Sequence, residues 1–146
     1  MYFCEDKQAG VVVVALDPGD LLLESLRRVA READLPNGVV LSGIGSLSHG
    51  RFHAVVTNEY PPADEIVELP GPLEIGSFGG IIAAHEPHVH INVMTLDGRY
   101  YGGHIEEGCA VLTLAEISIL RLPSLRLMRK PTDGTRVARL RDQGPA

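Results

Sequence analysis

Cys4 and Cys109 are the only cysteines in this 146-residue sequence, too few and too scattered for a disulfide framework or a zinc ribbon. Both read as free thiols of a reducing compartment. Long apolar runs are missing too, and the start, Met1-Tyr2-Phe3-Cys4-Glu5-Asp6, lacks the basic segment of a secretory leader. The expectation is a cytoplasmic protein with no membrane span. Positive charge is scarce: 13 Lys and Arg stand against 19 Asp and Glu, a net charge of −6, so the molecule repels nucleic acid on average. From residue 126 onward the balance reverses, with Arg126, Arg129, Lys130, Arg136, Arg139 and Arg141 against Asp133 and Asp142. So short a run reads as solvated surface. Internal repeats and low-complexity tracts are absent.

What is present is a hydrophobic fraction of 45% with 16 glycines and 10 prolines, enough for one domain over residues 1–146 with its own core and many turns. Ala9 to Leu16 reads as a strand buried on both faces. Asp17-Pro18-Gly19-Asp20 then opens a helix in which Leu22, Leu26, Val29 and Ala33 form one apolar stripe opposite Arg27, Arg28, Arg31 and Glu32. Pro36-Asn37-Gly38 ends it. Short strands follow, separated by glycine or proline, over 39–42, 51–57, 65–69, 73–78, 81–84, 88–95, 99–105, 110–121 and 137–140. No second helix of comparable strength appears. One helix on a mostly antiparallel sheet makes the fold class α+β.

The chemistry concentrates in three histidines. In Glu86-Pro87-His88-Val89-His90-Ile91-Asn92-Val93 the strand period of two puts His88, His90 and Asn92 on one face and Val89, Ile91 and Val93 on the other. His104 closes Tyr100-Tyr101-Gly102-Gly103-His104 on the next strand. A three-residue turn, Leu96-Asp97-Gly98 with Gly98 left-handed, pairs Thr95 with Arg99 and sets His90 across from His104, with His88 diagonal and Glu106 opposite His88. A two-residue Asp97-Gly98 turn instead sends His104 to the wrong face unless Gly102-Gly103 hosts a bulge. With the longer turn three imidazoles converge. Neutral imidazole suits zinc, copper, nickel or iron, and three histidines with a fourth position open is the pattern of a catalytic zinc site.

Other polar signals are weaker. Gly43-Ile44-Gly45-Ser46 lacks the helix or lysine that a phosphate cradle needs and reads as a tight turn or bulge. Gly79-Gly80 and Gly102-Gly103 read as places where backbones approach closely. Glu116 interrupts a stretch that otherwise reads as buried on both faces, and therefore needs a partner, such as Arg121 or Arg129 in an ion pair or a metal-bound histidine. His49, His53 and His85 share no spacing with the three, and His85 is the nearest spare ligand.

The order of these features resembles the plant and prokaryote conserved domain, the PPC family. The matching text is Leu21–Arg31 (LLLESLRRVAR), Val40–Phe52 (VLSGIGSLSHGRF), Glu68–Gly80 (ELPGPLEIGSFGG), Pro87–Asn92 (PHVHIN) and Asp97–Ile117 (DGRYYGGHIEEGCAVLTLAEI). The resemblance implies a homotrimer of compact α+β subunits with zinc held by His88, His90 and His104. Plant relatives attach this domain to AT-hooks, and the Arg-Gly-Arg-Pro hook is missing here, so the isolated domain is not expected to bind nucleic acid tightly. Two readings follow: a zinc site acting on a small molecule, with Glu106 or Glu116 carrying a proton, or an oligomerising DNA-binding or transcription-associated module in which the metal orders a hairpin.

Overall fold

A computed structural model describes residues 1–132, 134–135 and 137–144. Nine strands and one helix follow in the order β1 (Tyr2–Asp6), β2 (Val11–Leu16), α1 (Leu22–Glu32), β3 (Asn37–Val55), β4 (Asp64–Ala83), β5 (Glu86–Thr95), β6 (Tyr100–Ile105), β7 (Ala110–Arg121), β8 (Leu127–Pro131) and β9 (Ala138–Asp142). Seven strands form one antiparallel sheet in the order β1-β2-β7-β3-β4-β5-β6, and β8-β9 is a separate hairpin. The expected α+β class with a single main helix is the observed one.

The helix follows its stripe. Leu22, Leu26 and Val29 are fully buried and Ala33 nearly so, joining Val12, Val14, Val89, Ile91 and Ile117 in one core cluster, while Arg28, Arg31 and Glu32 stay exposed. Ala33 caps the helix and Asp34 takes a left-handed conformation, so the helix stops just before Pro36.

Two strands are far longer than the sequence suggests. The stretches expected as separate strands over 39–42 and 51–57 are one 19-residue strand, β3, running straight through Gly43-Ile44-Gly45-Ser46, and the three expected over 65–84 are one 20-residue strand, β4. Glycines and prolines that read as breaks instead mark bulges: the β3–β7 register shifts between Val40 and Ser42, between Gly45 and Leu47, and between Leu47 and His49. A bulge bends a strand without ending it. The bending has a topological result. β3 pairs with β4, β4 with β5, β5 with β6, and β6 returns to β3 through Phe52–Ile105 and His53–His104, closing one end of the sheet into a ring.

β2 and β7 also differ from the reading of strands buried on both faces. Val12, Val14, Leu16, Ala115, Ile117 and Ile119 point into the core, but Val13, Leu112, Leu114 and Glu116 on the opposite face are exposed. Glu116 therefore needs no buried partner, and it forms no ion pair among the described residues. Arg121, one of its expected partners, donates to Glu5 Oε2 at 2.5 Å.

Candidate metal centre

The hairpin that gathers the histidines has the three-residue turn. Thr95 N donates to Arg99 O and Gly98 N to Thr95 O, both at 2.9 Å, and Gly98 takes φ +77°, the left-handed geometry that glycine adopts without penalty. From that turn the register runs Met94–Tyr100, Val93–Tyr101, Asn92–Gly102, Ile91–Gly103 and His90–His104. Val89, Ile91 and Val93 fill the core, which drives His88 and His90 to the other face.

On that face the rings of His88 and His104 lie 4.4 Å apart, and those of His90 lie 5.5 Å from each of them, centroid to centroid. Each of the three offers a nitrogen, and these nitrogens lie within 4.8 Å of one another. Asn92, on the same face, is turned aside to Ser77, donating from Nδ2 to Oγ at 2.8 Å.

A fourth imidazole comes from β3. His53 pairs across from His104 on the side away from His90, with ring centroids 4.5 Å apart. Glu106 lies with it: His53 Nδ1 and Glu106 Oε1 share a 2.5 Å hydrogen bond. Glu106 thus faces His53 rather than His88, because β6 leaves β5 after His104 and turns onto β3, where Glu106 N donates to Arg51 O at 2.9 Å. Gly103 permits this crossing. It takes φ +155°, and a Cβ there would lie 2.3 Å from the His53 carbonyl oxygen. His85, expected as the nearest spare ligand, sits in the β4–β5 turn 3.7 Å from Asp34. His53 has no periodic relation to the others in the sequence, and only the ring closure brings it in.

The four histidines line a cavity of about 710 Å3, together with Ala54, Val55, Asp64, Gly103, Arg129, Val137 and Ala138. The cavity lies on the sheet face opposite the core, beneath β8 and the residues leading into β9. His88 and His90 stay open to solvent on one side and His104 is half-buried, and the partial desolvation favours the uncharged form of each. His88 is pushed down to about 4, first by desolvation and then by the charges of His104, Arg129, His90 and His53. His90 and His104 are lowered as well, again chiefly by desolvation. Neutral imidazole is the form that coordinates metal.

The residues fit a metal on a second count. His104 Nδ1 is buried and has no hydrogen-bond partner. An unsatisfied buried nitrogen is costly in a folded protein, and coordination would satisfy it. His53, His104 and Glu106 form a second set of donors within the same 4.8 Å limit, sharing His104. Cys4 and Cys109 take no part: both are free, Cys4 exposed and Cys109 buried, and burial pushes the Cys109 thiol up to about 11.

Comparison with known proteins identifies the family and the fold. The chain is 34% identical over 121 residues to the Bifunctional protein GlmU of Synechococcus sp. (strain JA-2-3B'a(2-13)), a match that takes in 82% of this chain and 18% of that much longer protein. Among solved structures, a Bacteroides thetaiotaomicron protein provisionally named as DNA-binding superposes with a TM-score of 0.82 at 16% identity, over 96% of each chain. The metal-containing protein AF0104 of Archaeoglobus fulgidus superposes with a TM-score of 0.64 at 24% identity, over 77% of this chain and 79% of its own. At such identities the likeness is one of fold. A family match rests on sequence: the Plants and Prokaryotes Conserved (PCC) domain aligns with residues 4–123, from β1 to just past β7 and across the whole histidine hairpin, and the chain belongs to that family, abbreviated PPC above.

Proposed function

We propose that this protein binds one zinc ion per subunit through His88, His90 and His104, assembles as a homotrimer, and uses the cavity beside the metal to hold a small molecule. The observation that carries the metal reading is the convergence of three imidazoles whose nitrogens lie within 4.8 Å of one another, together with a buried, partnerless Nδ1 on His104. An all-imidazole donor set favours zinc over hard cations such as magnesium or calcium, and the Archaeoglobus fulgidus relative is a metal-containing protein. When bound, zinc supplies Lewis acidity. The chain's own contribution is positional: the β5–β6 register aims the three rings at one point, the turn of β6 onto β3 sets His53 beside them, and a proton is held between His53 Nδ1 and Glu106 Oε1. The trimer is supported by the exposed apolar face of β2, β3 and β7, where Val13, Leu41, Ile44 and Leu114 are 43–57% exposed.

Metal analysis of protein expressed with added zinc and purified without chelator tests the site. The expected content is about one zinc per chain, falling to near zero in His90→Ala while the circular dichroism spectrum is kept, because Val89, Ile91 and Val93 pack without the metal. A metal-free wild type, or unchanged zinc in His90→Ala, overturns the reading. The second reading, a DNA-binding module, draws on the exposed Arg126, Lys130, Arg139 and Arg141 around the β8–β9 hairpin and on the name of the Bacteroides thetaiotaomicron relative. Arg136 and Asp133 of the basic segment lie outside the described residues. Steeply salt-dependent duplex binding that Arg139→Ala and Arg141→Ala abolish together favours this reading; the net charge of −6 argues against it.

A further inference from the structure

Arg129 projects from β8 over the histidines and lines the same cavity as His88, His90 and His104. It lies beyond residue 123, where the family match in sequence ends. Its guanidinium has an unusual environment. One terminal nitrogen, Nη1, is buried with no hydrogen-bond partner, and Arg129 makes no ion pair with any described carboxylate. The acidic groups nearby are occupied or peripheral. Glu86 accepts from Arg27 Nε at 2.6 Å, Glu106 is engaged by His53 at 2.5 Å, and Asp64, which lines the cavity, is exposed.

The hairpin that carries Arg129 is fixed to the body of the protein. Asn37, a buried polar residue at the start of β3, donates from Nδ2 to Leu125 O at 2.7 Å and accepts from Leu127 N at 2.9 Å, anchoring the entry to β8. Two residues on, Arg129 pairs with Leu140 of β9. The side chain is thus delivered to the cavity by a tethered strand. Arg129 is partly buried, with Glu86 near enough to act on its charge, but a buried guanidinium nitrogen without an acceptor is unfavourable, and a guanidinium offers a planar fork matched to two oxygens of one oxyanion.

We infer that the small molecule held in this cavity carries an oxyanion, a carboxylate or a phosphate, that seats on Arg129 while the rest of the molecule extends toward His88, His90 and His104. The inference deepens the metal-site reading and rests on it for the second half of the ligand, but the anion seat itself belongs to Arg129 and needs no metal. The arginine sets the substrate class: the cavity selects small acids over neutral or cationic molecules.

The test uses the full chain stripped of metal and titrated separately with acetate, inorganic phosphate and, at matched ionic strength, chloride. Binding is followed by the Arg129 side-chain NMR signals and by calorimetry. Saturable binding of acetate alone assigns a carboxylate, of phosphate alone a phosphoryl group, and of both a general oxyanion seat; each supports the inference. The dissociation constant should rise at least about tenfold in Arg129→Gln. Arg129→Lys keeps the charge but loses the fork, and a several-fold weakening there carries the test if the glutamine variant folds poorly. Binding of neither oxyanion, equal binding of chloride, or an unchanged constant in either variant overturns the proposal. Zinc content measured on the same variants separates the two readings, since arginine donates no electron pair to a metal: failure of the metal reading appears as missing zinc in the wild type, while the anion titrations on stripped protein still stand.

Discussion

β5 and β7 are both half-buried strands, and they use their outer faces in opposite ways. In β5 the inward residues Val89, Ile91 and Val93 alternate with His88, His90 and Asn92. In β7 the inward residues Val111, Ala115, Ile117 and Ile119 alternate for much of their length with Leu112, Leu114 and Glu116, which face outward. A polar outer face tells the reader where solvent or ligand is met. An apolar outer face reads as core from sequence alone, and in a single chain it turns out to be surface. The difference separates two kinds of exposure: one with donors that converge on a cavity, the other with aliphatic carbon that only another surface can cover.

The comparison can be broken from the inside first. Ile117→Ala on the inner face of β7 removes a side chain that is 2% exposed and should destabilise the subunit by about 2–5 kcal/mol, read as a lower denaturation midpoint with an unchanged slope. Loss of well under 1 kcal/mol would mean that this face is not core. Leu114→Asp, on the outer face of the same strand where Leu114 is 43% exposed, should leave the subunit folded and drop the mass from trimer to monomer in light scattering, since each interfacial leucine contributes about 1.5–3 kcal/mol. Zinc per chain should stay the same, because the three histidines belong to one subunit. A wild type already monomeric at micromolar concentration removes the basis for a covered face.

The smallest expected effect is on pH dependence. In the metal-free protein His88 is held at about 4, below the ordinary 6.5, so the unfolded chain takes up its proton first as the pH falls. Stability is complete above about pH 6.5 and declines between there and pH 4, because only the unfolded state gains protons in that window. His88→Asn should flatten this part of the profile measured by urea denaturation. An equally steep profile in the variant would place the proton uptake elsewhere.

Much of this architecture is legible in the sequence where the signal is local. The helix stripe, the alternation of β5, and the turn at Leu96-Asp97-Gly98 each depend on a few adjacent residues, so period and turn chemistry suffice. What escapes is non-local or depends on context. Gly43-Ile44-Gly45-Ser46 reads as a tight turn or bulge, and of the two it is bulges that form, but pairing with β7 carries the strand straight through them, which local sequence does not reveal. Tyr2–Asp6 carries too little alternation to stand out and becomes β1 by pairing along the edge of β2. His53 joins the other histidines only because β6 touches β3, a contact with no trace in spacing. Arg129, which reads as one of several solvated basic residues, is turned inward by an anchor at Asn37 more than ninety positions upstream.

The double pairing of β6 also gives the site an order of assembly. His88, His90 and His104 meet through a hairpin with a three-residue turn, a contact that chains form early because little entropy is lost in closing so short a loop. The hydrogen bond between His53 and Glu106 spans 53 residues and waits for the long strands to align. The three imidazoles are thus joined by local pairing, whereas the chamber around them is closed by contacts between residues some fifty positions apart.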